Sequence, residues 1–446
     1  AAAVFYIWRV SKKTEEEILS QMYVPQATTW TPDLLMLQAY LRIDTSNPPG
    51  NELPAAKFLA AILETGGVKA EIIESAPNRA NVYARIRGRR SGEGLLLLHH
   101  MDVVPAPPEG WTRPPFSGDL HFNQIYGRGA LDMKGTGIAQ LQAFLKVART
   151  KKQPERDIVF LAVADEETGG RMGMQWLIEN RPDVIEGVRY ALNEGGITEM
   201  QQERVTYYGI EIGTKQSVTV MLHAPTKDSL RRTRIALEPW FIRREPDRVL
   251  PEVKSFLHTL SPQRIEFREQ LADIDRTIAQ GGFWELPIGY RELTQNGVWA
   301  EAVTPRPGGF QMKVLLLNLP DEDPDARLRW LESRIRPFGV TIGEVVAKEG
   351  PAPLSPSDTP LFALLAEQAR VAFGNPPVGT EILNRSSNDS RFLRKRGIVA
   401  YGISPFPVDF FQAETIHGID ERVRADYFQM GVQFLQAVVS RHAFGG

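Results

Sequence analysis

Three apolar runs in this chain each stop on side chains of the kind that bind metals. Leu95-Leu96-Leu97-Leu98 runs into His99-His100, Ile158-Val159-Phe160-Leu161-Ala162-Val163 into Asp165-Glu166-Glu167, and Tyr190-Ala191-Leu192 into Asn193-Glu194. Short continuous apolar runs suit strands buried on both faces, as in a parallel sheet covered by helices. In open sheets of that kind, function gathers at the carboxyl ends of the strands. The pattern therefore predicts both a fold class and the location of its site. The class is α/β, with a mostly parallel sheet flanked by helices.

Alternation of strand and helix patterns supports that reading. Helices are expected at residues 55–65, 134–147 and 173–179, and strands at 69–74 and 81–86. An earlier helix has Leu34, Leu35, Leu37 and Leu41 on one face, and a loop rich in Ser, Asn, Pro and Gly follows at 44–52. The middle differs. Residues 206–222 read as paired strands, 228–300 as charged and mostly helical, 311–319 as a strand and 325–335 as a helix. Alternation resumes at 361–373, then a strand at 398–403 and a helix at 425–442. The simplest account is a catalytic domain at 32–211 and 346–446, interrupted by an inserted α+β domain at 212–345. Residues 1–31 would be an N-terminal arm or the tail of an anchor.

Composition excludes several classes. The formal net charge of −2 over 446 residues gives no electrostatic reason to expect nucleic acid. The absence of cysteine rules out disulfides, thiol catalysis and Cys-ligated zinc, so a metal must be held by His, Asp and Glu. Ala1-Ala2-Ala3-Val4-Phe5-Tyr6-Ile7-Trp8, followed by Arg9, Lys12 and Lys13, suits a membrane interface. It reads as the end of a membrane tether upstream of Ala1; the alternative is a short arm packed on the body of a cytoplasmic protein.

Five motifs carry chemistry: His100-Met101-Asp102, Asp132 within residues 127–135, Glu166-Glu167, Glu194, and His417 within Ile416-His417-Gly418-Ile419-Asp420-Glu421. Imidazole and carboxylate are ligands for zinc and similar divalent ions. A neighbouring Glu that need not bind metal can serve as general base. On an extended backbone His100 and Asp102 point the same way, so Asp102 could accept from the imidazole N–H and fix its tautomer. Glu166 and Glu167 would point in opposite directions, one to metal and one to substrate. Each motif alone has a bland reading. His99 is filler, a Glu-Glu pair is usually a solvated surface, and the glycine loop lacks the Walker spacing of a nucleotide site. Arg231, Arg232 and Arg234 read as a solvated helical face. Ordered at strand ends, the five motifs together indicate a metal site.

The constellation resembles the zinc-dependent exopeptidase family that includes glutamate carboxypeptidase, carboxypeptidase S, aminoacylase and succinyl-diaminopimelate desuccinylase. His100-Met101-Asp102-Val103-Val104-Pro105 looks like its first motif, Pro114-Pro115-Phe116-Ser117-Gly118 and Ile125-Tyr126-Gly127-Arg128-Gly129-Ala130 look like the carboxypeptidase S branch, and Asp389-Ser390-Arg391 its late Asp-x-Arg. The resemblance implies two divalent metal ions, zinc or else cobalt or manganese. Asp132 would bridge them, with a cis peptide after it. His100 and Glu194 would complete one site, Glu167 and His417 the other. Glu166 would be the catalytic base and then acid, Asp102 would orient His100, and Arg391, with Asp389 in its motif, would meet the substrate carboxylate. The inserted domain would act as a lid and dimerisation unit, which makes a homodimer an expectation. It departs from the family pattern, because His223 falls too early and Leu317 stands where an Arg is usual. The implied activity is hydrolysis of amide bonds in small peptides or N-acyl amino acids by metal-activated water. The alternative is a catalytically lapsed relative whose divergent lid binds a partner.

Overall fold

The computed structural model describes residues 30–237, 246, 248–383 and 387–445. The expected anchor segment before Trp30 lies outside the described residues, among which no helix is long and apolar enough to cross a membrane.

A nine-stranded sheet forms the centre. Its middle is parallel: Arg156–Val163, Arg90–His100, Val188–Asn193 and Val399–Gly402 lie side by side in that order. One edge is antiparallel, with Arg79–Ile86 and then Ala70–Ala76 added beyond Arg156–Val163. Past Val399–Gly402, Arg204–Thr214 joins antiparallel and then pairs parallel with Val378–Leu383. The four-leucine run explains why the middle strands are covered on both faces. Leu95 and Leu97 enter one core cluster, and Leu96 and Leu98 enter the other, as alternation along a strand requires. Each such fully buried leucine contributes about 1.5–3 kcal/mol.

The helices Lys134–Arg149 and Ala425–Phe444 pack together on the first face. Gly137 lets the helix Lys134–Arg149 lie close on the strand Arg90–His100, because a Cβ there would stand 2.5 Å from the His99 ring. Met174–Asn180 and Ser390–Arg394 cover the other face through Met174, Leu177, Ile178 and Leu393. In the helix Pro32–Leu41, Leu34, Leu37 and Leu41 are buried as expected, but Leu35 is half exposed and Tyr40 takes the remaining core position.

The middle of the chain departs from expectation in two ways. Residues 206–222 do not form a pair of strands bonded to each other. Arg204–Thr214 belongs to the large sheet and pairs locally with Ile197–Gln201, whereas Gln216–Ala224 is the centre of a separate five-stranded sheet. Both stretches alternate, but pattern alone does not say which sheet a strand enters. Second, the interval 212–345 divides in space. Gln216–Ala224, Gly309–Asn318, Thr341–Lys348, Gly297–Ala300 and the helices Lys227–Leu237 and Pro324–Ile335 share a small core of their own, including Val218, Val220, Met312 and Leu331. Pro251–Leu260 and the short helices after it pack instead on the large sheet, through Val253, Leu257, Leu271 and Phe283. Within 228–300, residues Gly297–Ala300 are strand rather than helix.

Candidate metal centre

Each candidate side chain is delivered by a recognisable local device. His100 is the last residue of its strand. Glu194 directly follows the strand Val188–Asn193. Glu166 and Glu167 open a 3-10 turn after Arg156–Val163, so they are not arranged on the extended backbone the sequence suggested. The residue before them, Asp165, has a φ of 71° and is fastened by side-chain bonds from Asn47, Thr168 and Arg79 and by the Met172 N–H. Asp132 lies between a short strand and the helix Lys134–Arg149, and its peptide bond to Met133 is cis. His417 sits in a loop at a φ of 59°.

These residues converge. His100 Nε2 is 3.1 Å from Asp132 Oδ1 and 3.5 Å from Glu194 Oε2. His417 Nε2 is 3.0 Å from Asp132 Oδ2 and 3.4 Å from Glu167 Oε2. Asp132 therefore stands between two nitrogen–carboxylate pairs and offers one oxygen to each. His100, Glu166 and Glu194 form one group with ligand atoms within 4.8 Å, and His100, Asp132 and Glu167 form another.

Asp102 is present but bonded differently from the expectation. His100 Nδ1 is 2.8 Å from the Asp102 backbone oxygen, whereas Asp102 Oδ1 is 3.7 Å away. The backbone carbonyl holds the ring. The buried carboxylate instead accepts the N–H groups of Glu166 and Glu167 and a bond from Asn47. Asp102 thereby couples the His100 strand to the turn that carries both glutamates. His99 is buried among Tyr40, Phe160 and Gly137, and burial lowers its pKa to about 3, so it packs as a neutral core residue.

Two contributors were missed in the sequence. Glu421 belongs to the His417 motif, and nothing in its sequence context marks a role. Its buried carboxylate accepts from the N–H groups of Gly129, Leu131 and Asp132 and pairs with Arg128 at 2.7 Å, fixing the Asp132 loop. Asn47, in the proline loop, links Asp102, Asp165 and Thr168. Only the density of loop-forming residues around Asn47 was visible beforehand.

The electrostatics fit a cation site. Burial, and then the Glu194 charge, holds the Glu166 carboxyl well above its ordinary range. Burial likewise pushes Glu194 up to about 7, against the pull of His100. Burial opposes charging His100, yet Glu194 and Asp132 outweigh it and hold the imidazole above its usual value. Hydrogen bonds that its ring donates to Asp132 and Glu167 lift His417 to about 10. The crowded acids face the two imidazoles His100 and His417, and Glu167 Oε1 has no partner among the described residues. An all-nitrogen and oxygen donor set of this composition suits divalent ions.

A model of the peptidase family M20/M25/M40 matches residues 96–441. The chain belongs to that family. Among M20/M25/M40 relatives, the N-fatty-acyl-amino acid synthase/hydrolase PM20D1 of Xenopus tropicalis is 26% identical over 366 residues, covering 76% of this chain and 70% of its own. Aminoacylase-1 of Sus scrofa is 24% identical over 429 residues, covering 92% and 95% respectively. The M20 metallo-carboxypeptidase Sso-CP2 of Sulfolobus solfataricus has the same fold, with a TM-score of 0.69 at 18% identity over 93% of this chain and all of that one. As an M20/M25/M40 peptidase with this cage, the protein is a metal-dependent hydrolase of amide bonds that takes two divalent ions.

The cage opens into a cavity of about 1140 Å³. Leu131, Met200, Ile403, Phe406, Val408 and Ile416 form an apolar wall. Ser217, Thr219, Lys313 and Val346 of the small sheet face it, while His223 and Leu317 are not among its lining. Arg391 also lines the cavity, with its Nη2 donating to Gly169 O at 3.1 Å. Asp389 is buried with neither carboxylate oxygen partnered among the described residues, and burial, opposed by Arg391, pushes it up to about 7.

Glu381 lines the same cavity, and burial, then Glu211 and Glu199, pushes it up to about 8. An acid with a raised folded pKa favours the native state at low pH and loses that contribution as pH rises through the folded value. Glu381→Gln should therefore raise Tm relative to the parent by about 3 °C at pH 9 and by almost nothing near pH 4.5. Thermal scans of both proteins across that range check it; an equal gap at both ends would show that ionisation carries no cost there.

Proposed function

We propose that this M20/M25/M40 peptidase hydrolyses N-acyl amino acids or short peptides and that its two divalent ions are zinc. Asp132 would serve both ions, His100 and Glu194 would hold one, and Glu167 and His417 would hold the other. The carrying observation is the position of Asp132, whose two oxygens reach different imidazoles. Divalent ions held there would supply Lewis acidity toward a water and the scissile carbonyl.

The chain's own groups do the rest. Glu166 takes the proton of the attacking water and passes it to the departing amine nitrogen, so that a C–O bond forms as the C–N bond breaks. Partial desolvation and the neighbouring Glu194 raise its affinity for a proton, which suits a group that takes one proton and then returns it. Asp102 holds the Glu166 and Glu167 backbone in place. Arg391 faces the substrate carboxylate, and the apolar wall receives the acyl group or side chain. Similarity to PM20D1, an N-fatty-acyl-amino acid synthase/hydrolase, and to aminoacylase-1 supports this substrate class.

Chelation tests the reading. Exhaustive removal of divalent ions should abolish hydrolysis of a panel of N-acyl amino acids and dipeptides, and stoichiometric zinc, or cobalt or manganese, should restore it. Full turnover in chelated, metal-free protein would end the proposal. Metal analysis of the restored enzyme should find two ions per chain.

A further inference from the structure

Arg391 is the guanidinium on which the proposed substrate contact depends, and it is already engaged. Its Nε lies 3.2 Å from Glu349 Oε1, with both side chains largely buried. The same Glu349 oxygen accepts the Ser387 hydroxyl at 2.7 Å, and the other oxygen accepts the Ser217 N–H at 2.8 Å. The Glu349 N–H in turn donates to Ser217 O. Arg391, Glu349, Ser387 and Ser217 all line the reaction cavity.

We propose that Glu349 is a specificity-determining residue that competes with the substrate carboxylate for Arg391. The inference rests on the amide-hydrolase reading above. Glu349 follows the strand Thr341–Lys348, where the chain returns from the small sheet, and it grips Ser217, where the chain enters it. Held at both crossings, its carboxylate has a high effective concentration at Arg391. An incoming carboxylate meets a guanidinium whose Nε is already taken and whose charge is already offset, and it must approach the like-charged Glu349 carboxylate to bind there. A neutral ligand end meets no such competitor. Glu349 therefore narrows the advantage that an acid enjoys over the matching amide.

The test uses the protein loaded with its divalent ions and carrying Glu166→Gln to stop turnover. Binding of N-decanoyl-leucine and of N-decanoyl-leucinamide is measured by calorimetry with and without Glu349→Gln, which keeps the shape and one acceptor oxygen, for the Ser217 N–H, while its N–H₂ can donate to the Ser387 hydroxyl. The acid should bind about tenfold tighter once Glu349 is neutralised, while the amide should change by less than about twofold. Ser387→Ala, which loosens the hold on Glu349, should move the acid in the same direction by a smaller factor. Unchanged acid binding, or weaker acid binding in Glu349→Gln, would mean that Glu349 merely props Arg391, and the proposal would fall. Failure of the amide-hydrolase reading appears separately, as absence of turnover by the metal-loaded parent.

Discussion

Glu166→Gln should lower kcat by about 10³-fold while leaving both ions in place, since general acid–base groups contribute about 10²–10⁴-fold. The side chain keeps its volume and loses only the ability to move a proton. In the structure Glu166 is half-buried beside Glu194, and its carboxyl is held well above the ordinary range by desolvation and by that neighbour. The ligands proposed above are His100, Asp132, Glu167, Glu194 and His417, which meet one another without Glu166, so metal content should survive. Steady-state kinetics on an N-acyl amino acid, paired with metal analysis, separates the two effects. A variant with parental turnover would remove Glu166 from its assigned role. A variant that lost its ions would instead make Glu166 part of the cage.

The second large effect is expected at a residue that touches no substrate. Glu421→Ala leaves the Arg128 guanidinium buried without its counter-charge and strips the acceptor from three backbone N–H groups at Gly129, Leu131 and Asp132. Breaking a buried pair on one side costs about 3–5 kcal/mol. The loop that aims Asp132 loses its anchor as well, and loss of such supporting contacts weakens metal affinity by about 10–100-fold. Thermal unfolding of the metal-free protein reads the first quantity, and competition with a chromophoric chelator reads the second. Glu421→Gln should fall between, because a carboxamide can serve some of these donors but turns its own N–H₂ toward others. Parental stability and affinity in the alanine variant would deny the clamp.

The legibility of this fold follows from what a strand pattern encodes. The runs ending at His100, Glu166 and Glu194 were readable because double-sided burial demands unbroken apolar residues, and the structure places all three runs in the central sheet. The helices at Lys134–Arg149 and Ala425–Phe444 were equally plain. Sheet membership was not. Arg204–Thr214 and Gln216–Ala224 carry similar alternation, and only tertiary pairing separates them. At the site, the motifs supplied the converging side chains, but not which atom of Asp102 holds His100, because backbone carbonyls are present at every position and leave no trace in composition. Glu421, Asn47 and Glu349 were obscure for a related reason. Their partners are loop N–H groups and side chains far away in the chain, so no local periodicity marks them.

The Asp132 loop and its Glu421 anchor lie 289 positions apart. A ribosome makes His100, Asp132, Glu167 and Glu194 long before His417, and until residues 417–421 emerge those acids have neither His417 nor the anchor to organise them. The receptacle can therefore close only after synthesis has passed Glu421. A polypeptide ending short of that residue would carry the strands and their carboxylates without this closure.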